Sequence, residues 1–289
     1  MNKTFHAIDG QTLRFGIIGY PLKHTLSPLI HNALFEKLEI PAIYFPLEIA
    51  PENFKTLAPS LRYLFKGFNV TVPYKENMLS FLDAVTDTAK KIAAVNTIFF
   101  KDGKWMGDNT DWKGFQDSLM FDYGIPFKNK NVLILGGGGS TKACFYAALW
   151  SNAKSITLAN RTPEKNDPLV KKNAGTSCQL RSVGITPSEL SACAEHAQII
   201  INATSLGLNP KDKHFFDFSS VSPKAFAMDL IYNKKTDFLE RAKKRGCKTG
   251  DGLGMLIRQG ALAFQRWTGK KPDLEFMKKS LHHKATGAV

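Results

Sequence analysis

The 289-residue chain is predicted to fold as an α/β protein with two domains. Three observations favour this fold. The length exceeds what one small hydrophobic core requires. Short apolar runs alternate with helix-like segments along the whole sequence, as layered α/β folds require. One of these apolar runs also leads directly into a cluster of glycines.

Four strands and three helices are predicted in the first part of the chain. The strands are Phe15–Gly19, Ala42–Leu47, Gly67–Val72 and Asn96–Phe100, and the helices are Ser27–Leu38, Pro51–Leu61 and Tyr74–Leu82. They alternate as an α/β domain requires. We expect this domain to end near Trp112, where its strands run out.

A second α/β series follows, with the rhythm of a doubly wound, Rossmann-type domain. Its strands are Asn131–Leu135, Ser155–Ala159, Gln198–Ile201 and Ala225–Leu230, with helices at Thr141–Trp150 and after Thr162. The chain then continues into two further predicted helices, Leu253–Trp267 and Asp273–Lys279.

Several classes of protein are disfavoured by the composition. Apolar runs stay well short of the roughly 20 residues that cross a bilayer, and Met1 to Thr12 lacks the pattern of a secretory signal. We therefore expect a cytoplasmic protein. Cys144, Cys178, Cys193 and Cys247 form no CxxC pair, so reduced thiols are expected and no metal site.

The formal net charge of +14 has more than one interpretation. Basic residues concentrate in helix-like stretches such as Arg241–Arg245, which favours solvated helix faces. A positive field that attracts small anions to a cleft is the main alternative. Nucleic-acid binding is not expected, because the basic residues are not interleaved with aromatic residues.

The glycine cluster predicts a dinucleotide site. The strand Asn131–Leu135 runs into Gly136–Gly139, and a helix follows. In this order, backbone N–H groups at the helix N-terminus bind a pyrophosphate. Gly136 and Gly138 fit G-x-G-x-x-G, but Thr141 occupies the third glycine position. A glycine-rich turn that binds something else therefore stays open.

The end of the next strand favours NADP over NAD. NAD enzymes usually carry a carboxylate about 20 residues after the glycines. This chain instead reads Asn160-Arg161-Thr162, with Lys165 one turn later. A guanidinium forms charge-assisted hydrogen bonds with a 2′-phosphate, which a carboxylate would repel.

Candidate catalytic groups lie at two polar turns. Pro73 ends a predicted strand, so Thr71 and Lys75 emerge at a strand-to-helix turn, and Asp111 lies in the turn before the second domain. A Lys–Asp pair can deliver a proton to an oxygen as hydride reaches the adjacent carbon. Solvated surface residues are the alternative interpretation.

Three further polar residues are candidate binding groups. The hydroxyls of Thr25 and Ser27 could bind a carboxylate, although Ser27 before Pro28 also fits a helix N-cap. Asn96 falls within a predicted strand, where its amide would be costly without hydrogen-bond partners.

Taken together, these segments resemble the shikimate dehydrogenase family over nearly the whole chain. The motifs that carry the resemblance occur in order with compatible spacing: Gly19 to Pro28 with His31-Asn32, Asn69 to Lys75, Ala94 to Thr97, Asp108 to Asp111, Asn160 to Thr162, Ile201 to Ser205 and Asp251 to Gly269.

The resemblance implies reversible reduction of 3-dehydroshikimate to shikimate with NADPH, in aromatic amino-acid biosynthesis. It implies Lys75 and Asp111 as the catalytic pair and the following substrate contacts: Thr25, Ser27, Thr71, Asn96, Tyr232 and Gln259. The cofactor contacts it implies are Gly136, Gly137, Gly138, Gly139, Ser140, Asn160, Arg161, Thr162, Lys165, Leu230, Gly252 and Asp87.

The resemblance also implies the domain organisation. Residues 1–112 form a substrate-binding domain to which the helices of 254–289 return, and residues 113–253 bind NADP. The enzyme is expected to be a monomer or homodimer. Thr25 replaces a commoner serine and Lys142 a commoner arginine. The alternatives are an NAD-dependent quinate/shikimate dehydrogenase and a non-catalytic dinucleotide sensor.

Overall fold

A computed structural model describes residues 8–209, 211–212, 215–232 and 234–282 of the chain. By its internal contacts the chain divides into two units, residues 1–110 with 256–289, and residues 111–255. Each unit is built on its own six-stranded sheet. The predicted α/β class with two domains is confirmed, and the sheet of the first unit is mixed.

The first unit, up to Asp108, contains a six-stranded sheet with helices between its strands. Its strands are β1 Leu13–Gly19, β2 Ala42–Glu48, β3 Gly67–Val70, β4 Ala84–Val85, β5 Thr97–Lys101 and β6 Lys104–Asp108. Its helices are α1 Ser27–Lys37, α2 Pro51–Leu57, α3 Leu61–Leu64 and α4 Asp87–Ile92, with 3-10 turns at Ala58–Ser60 and Asn77–Phe81. The spatial order is β2-β1-β3-β5-β6-β4, in which β5 is antiparallel to both neighbours.

Two predicted helices of this unit were wrong in extent or type. The predicted helix Pro51–Leu61 ends at Leu57, because Pro59 lacks an N–H and its ring clashes with a continuing helix. The predicted helix Tyr74–Leu82 is a 3-10 turn, Asn77–Phe81. There the Ser80 hydroxyl donates to the carbonyl of Asn77, which offers the backbone an alternative to helical bonds.

The second unit contains the predicted doubly wound parallel sheet. Its strands are β7 Asn131–Leu135, β8 Ser155–Ala159, β9 Gln179–Val183, β10 Ile199–Asn202, β11 Phe226–Asp229 and β12 Lys248–Gly250. Its helices are α5 Asp111–Tyr123, α6 Gly139–Trp150, α7 Asp167–Lys172, α8 Pro187–His196 and α9 Asp237–Arg245. The order β12-β11-β10-β7-β8-β9 is all parallel, with the switch point between β7 and β10.

Apolar side chains from the strands form a separate core in each unit. Leu133, Ile200 and Ala227 of the second sheet pack with Phe216 and Phe238. The helices α10 Leu253–Thr268 and α11 Leu274–His282 complete the chain. Within the described residues, each helix is too short or too polar to cross a bilayer, and all four cysteines are free thiols.

One histidine is enclosed by aromatic rings in the first unit. His31 of α1 stacks on Tyr44 at a centroid distance of 4.4 Å, and Trp267 of α10 lies 5.2 Å away. Its Nδ1 atom is buried and lacks a hydrogen-bond partner among the described residues. Burial therefore lowers the pKa of His31 to about 3, so the ring is neutral in the folded protein at neutral pH.

We expect His31 to contribute to acid sensitivity of the fold. The unfolded chain takes up a proton at His31 near pH 6.5, whereas the folded chain resists it down to about pH 3. Stability from this residue is therefore complete above pH 6.5 and is lost as pH falls, by about 2 kcal/mol at pH 5. The free energy of unfolding in urea should therefore fall less between pH 7.5 and pH 5 in His31→Phe than in wild type.

The matched control is His24→Phe, which alters an exposed histidine in a loop of the same unit. It should retain the wild-type loss of stability between the two pH values. An unchanged loss in His31→Phe would contradict the assignment of acid sensitivity to this buried ring.

Candidate active site

Several predicted site residues of the first unit lie at one edge of its sheet. Strands β1 and β3 are parallel, so the loop after Gly19 and the turn after Val70 leave the sheet at the same edge. Strand β5 is antiparallel to β3 and pairs Thr97 with Asp108 of β6, so β5 starts and β6 ends at that edge. The strand order thus brings four polar segments to one edge: those after Gly19 and Val70, the one before Thr97 and the one after Asp108.

A buried amide lies at the centre of this edge. Asn96 directly precedes β5, and its Nδ2 donates to Thr110 Oγ1 at 3.0 Å and to Gln259 Oε1 at 3.2 Å. Its Oδ1 accepts from the backbone N–H of Thr110 at 2.7 Å. The predicted need of Asn96 for partners is therefore met, and the amide binds a residue of α10 to the strand region.

Lys75 lies in the turn that follows β3. Only 9 % of it is exposed, although lysines are mostly solvated. The Lys75 carbonyl accepts from the N–H of Val95 at 2.7 Å, which attaches this turn to the residue before Asn96. Thr71 is half-buried in the same turn, and its N–H donates to the carbonyl of Ile18.

The N-cap alternative for Ser27 is not what the structure contains. Helix α1 begins at Ser27, its N-cap is Leu26, and no side chain caps it. Ser27 is buried and its N–H lies 3.4 Å from Thr25 Oγ1, so the two hydroxyl-bearing residues are adjacent at the start of α1.

Two predicted acidic residues begin helices. Asp111 is buried as the first residue of α5, immediately after Thr110 in the chain. Asp87 is exposed in the first turn of α4, in the first unit. Asp87 therefore belongs to a different unit from the other predicted cofactor contacts.

The glycine loop after β7 contains a backbone conformation that favours glycine. Gly136 follows β7 with a φ of +134°, a conformation that residues with a side chain rarely adopt. A Cβ at this position would lie 2.5 Å from Thr141 Oγ1, so the third position of the motif tolerates threonine only because Gly136 has no side chain. Gly138 is the N-cap of α6, whose first turn contains Gly139 and Ser140. Gly137 lies between Gly136 and Gly138.

The segment after β8 lies beside this loop. The carboxyl ends of β7 and β8 share an edge because the strands are parallel. Asn160 Nδ2 donates to the carbonyl of Thr162 at 3.1 Å, while Arg161 and Lys165 are exposed. Two cations thus stand within the segment that follows this strand, close to the glycine loop.

One buried polar residue beside the glycine loop, Asn166, was not predicted from the sequence. Only 3 % of this residue is exposed, and its Nδ2 donates to the carbonyl of Gly136 at 3.1 Å. The bond joins the glycine loop to the segment that contains Arg161. Asn166 lies outside any apolar pattern, so spacing gave no signal for it.

The remaining predicted contacts follow β11 and β12 at the same edge. Leu230 is the residue after β11, and Tyr232 is half-buried two residues later. Burial raises the pKa of the Tyr232 phenol, which keeps it protonated as a donor. A Cβ on Gly252 would lie 2.0 Å from the Leu230 carbonyl oxygen, so only glycine allows this close approach.

A polar pair ends two neighbouring strands at this edge, and its carboxylate, Asp229, was not predicted from the sequence. Asn202 and Asp229 are the paired last residues of β10 and β11, and both are fully buried. Asn202 Nδ2 donates to Asp229 Oδ1 at 3.0 Å. The available signal was a polar residue at the carboxyl end of each apolar strand.

The chain matches three family descriptions along its length. They are the shikimate dehydrogenase substrate binding domain over residues 17–98, shikimate / quinate 5-dehydrogenase over residues 120–209 and the shikimate 5′-dehydrogenase C-terminal domain over residues 252–282.

Relatives of known name match almost end to end. Shikimate dehydrogenase (NADP(+)) of Carboxydothermus hydrogenoformans is 41 % identical over 280 residues, which are 95 % of this chain and 98 % of the relative. The crystal structure of shikimate dehydrogenase from Aquifex aeolicus has a TM-score of 0.85 at 39 % identity, covering 95 % of this chain and 99 % of its own.

A third similar protein was solved with ligands. Shikimate 5-dehydrogenase of Thermus thermophilus, in complex with NADP(H) and shikimate, has a TM-score of 0.80 at 33 % identity, covering 94 % of this chain and 99 % of its own. Identity at this level over whole chains, with the same two-unit fold, leaves one conclusion: the chain belongs to the shikimate dehydrogenase family.

Proposed function

We propose that this protein is a shikimate dehydrogenase that reversibly reduces 3-dehydroshikimate to shikimate with NADPH, a step of aromatic amino-acid biosynthesis. The observation that carries the proposal is the buried hydrogen-bonded cluster of Asn96, Thr110 and Gln259 at the same sheet edge as Lys75. Family membership supports it, since relatives more than 40 % identical bear that name.

The proposed chemistry assigns the proton to Lys75 and Asp111. When bound, NADPH supplies the hydride that reduces the ketone carbon. Lys75 donates a proton to the ketone oxygen, which becomes the hydroxyl, and takes one back in the oxidative direction. Asp111 follows Thr110, whose N–H is bonded to Asn96, and we assign its carboxylate to the same proton transfer.

We assign substrate recognition to neutral polar groups around this pair. The hydroxyls of Thr25 and Ser27, which are adjacent at the start of α1, hold the substrate carboxylate. The ring hydroxyls are assigned to Thr71, Asn96, Tyr232 and Gln259.

We assign the cofactor to the carboxyl edge of the second sheet. Residues Gly136 to Ser140 hold the pyrophosphate at the N-terminus of α6, and Arg161 with Lys165 holds the 2′-phosphate. Asn160 and Thr162 shape that segment. Leu230, Gly252 and Asp87 are proposed as further contacts, although Asp87 lies in the first unit.

We further propose a cytoplasmic monomer or homodimer that acts on small anions. The four free thiols fit a reducing compartment. The charge of +14 then favours NADPH and a carboxylate substrate over nucleic acid as partners.

The enzyme should prefer NADP+ to NAD+ and shikimate to quinate in a spectrophotometric assay of oxidation. Arg161→Ala should lower kcat/KM for NADP+ by about 10- to 100-fold, because a charged hydrogen bond to phosphate contributes about 1.5–3 kcal/mol. Turnover with NAD+ should change little. The control is Lys171→Ala, which removes another exposed cation of this unit. Wild-type turnover with NAD+ equal to that with NADP+ would contradict the cofactor assignment.

Lys75→Ala should lower kcat by about 10²–10⁴-fold, because the ketone oxygen loses its proton donor. NADPH affinity, measured from cofactor fluorescence, should stay at the wild-type value. Lys66→Ala, an exposed lysine of the same unit, serves as control and should keep full activity. Full turnover in Lys75→Ala would remove this residue from the mechanism and would favour a different reaction.

Asn166→Ala should raise KM for NADPH by about 3- to 10-fold while kcat changes less, because Gly136 loses the donor that fixes the glycine loop. Steady-state kinetics with saturating 3-dehydroshikimate measure both constants. Asn173→Ala is the matched control, since that amide donates to Leu169 and not to the loop. Equal KM values in the two variants would show that the Asn166 bond is not needed for binding.

A further inference from the structure

Asp229 has no role in the chemistry proposed above, yet three donors converge on its buried carboxylate. Asn202 Nδ2 and the N–H of Ile231 both donate to Oδ1 at 3.0 Å. The Thr236 hydroxyl donates to Oδ2 at 2.7 Å. The residue is fully buried, so these protein groups take the place of water around the carboxylate.

Each donor belongs to a different structural segment. Asn202 Oδ1 accepts from the N–H and the hydroxyl of Thr204, and its Nδ2 also donates to Leu206, which fixes the turn after β10. Thr236 Oγ1 accepts from the N–H of Leu239 and so caps α9. One carboxylate therefore connects the turn after β10, the segment Leu230–Tyr232 and the start of α9.

The segment Leu230–Tyr232 contains two of the proposed binding residues, Leu230 and Tyr232. Ile231 between them is bonded through its N–H to Asp229. On the other side, the Leu230 carbonyl approaches Gly252 so closely that a Cβ there would lie 2.0 Å away. The position of this segment thus depends on a hydrogen bond on one side and on close packing on the other.

The charge on Asp229 is finely balanced. Burial raises the pKa of Asp229 to about 6, against the three donors and the ammonium of Lys234, which lower it. Further titratable groups lie on the neighbouring segments: Lys211, Asp212, Tyr232, Lys235, Asp237, Glu240, Lys248 and Asp251. An ionised carboxylate accepts from all three donors in charge-assisted hydrogen bonds. A protonated one can donate its own hydrogen to the Thr236 hydroxyl, which reverses that bond and leaves the two bonds to Oδ1 neutral and weaker.

We propose that Asp229 is a positioning residue for the Leu230–Tyr232 segment, and that proton uptake by its carboxylate weakens binding of substrate and cofactor. The inference rests on the proposed function, because that function makes Leu230 and Tyr232 contacts. Asp229 touches neither ligand in this scheme and acts only through the segment that it holds.

The main test compares wild type, Asp229→Asn and Asp217→Asn. KM for shikimate is measured at saturating NADP+ from pH 7.5 to pH 5.5, a range above the ordinary titration of a carboxylate substrate. Asp217→Asn is the matched control, because Asp217 belongs to the same unit and its side chain is 70 % exposed.

In wild type and in the control, KM should rise about fourfold over this range, because about a quarter of the enzyme stays ionised at pH 5.5. Asp229→Asn should already have a KM about tenfold higher at pH 7.5, with no further rise on acidification and with kcat near wild type. A wild-type KM in this variant, or an unchanged pH dependence, would overturn the proposal.

Two variants of Thr236 test the titration without altering Asp229. Thr236→Val removes the donor that favours the ionised carboxylate, so the midpoint of the KM profile should move to higher pH. Thr236→Ser retains the hydroxyl and should retain the wild-type midpoint. Midpoints that coincide in the two variants would exclude Asp229 as the titrating group.

A binding measurement separates failure of this inference from failure of the proposed function. If wild type does not oxidise shikimate, the proposed function fails, whereas NADP+ affinity still reports on Leu230. Calorimetry at pH 7.5 should then show weaker NADP+ binding in Asp229→Asn than in Asp217→Asn. Equal affinities in these two variants would overturn the role of Asp229.

Discussion

Asn96 is buried beside strand β5, and its amide has to be bonded at both ends, because an unpaired buried amide would cost a large part of a domain's net stability. The partners that satisfy it are Thr110, at the end of the neighbouring strand, and Gln259, on helix α10. A residue more than 160 positions away in sequence is therefore fixed against the strand region. The polar edge of the first unit depends on this bond.

In the second unit, buried polar side chains likewise fix the positions of loops. All six strands of its sheet run in one direction, so the loop after each strand leaves at the same edge. The glycine loop is fixed there by Asn166, and the segment after β11 is fixed by Asp229. In both cases a buried polar side chain, rather than an apolar contact, determines where a binding loop lies.

These supporting residues differ in chemistry from the groups assigned to ligands. Arg161 and Lys165 are exposed cations, suited to a mobile anion, whereas Asn166, Asn202 and Asp229 are buried and bonded within the protein. Hydrogen bonds of buried groups are strong in the low-dielectric interior of a protein. Loss of such a group therefore alters the position of the loop that it holds. This difference explains how a ligand site can depend on residues that do not touch the ligand.

Local sequence predicted many of the strands and the chemistry of the loops, but not the 3-10 turn Asn77–Phe81. The glycines after Leu135, the absence of an acid near Arg161 and the order of short strands predicted a doubly wound sheet and an NADP site, because backbone freedom and charge are properties of individual residues. The resemblance to a family supplied the roles of Lys75 and Asp111, which spacing alone left open. Pro59, which divides a predicted helix, was also visible in the sequence.

Tertiary structure alone decided which distant polar groups meet. Whether Ser27 caps α1, whether Asn96 finds partners and what Asn166 and Asp229 bind all depend on strand order and on the path of α10. No periodic pattern encodes these contacts, because a hydrogen bond between residues far apart in sequence is fixed by packing of the elements that carry them. The sequence specifies the groups, and the folded chain specifies their partners.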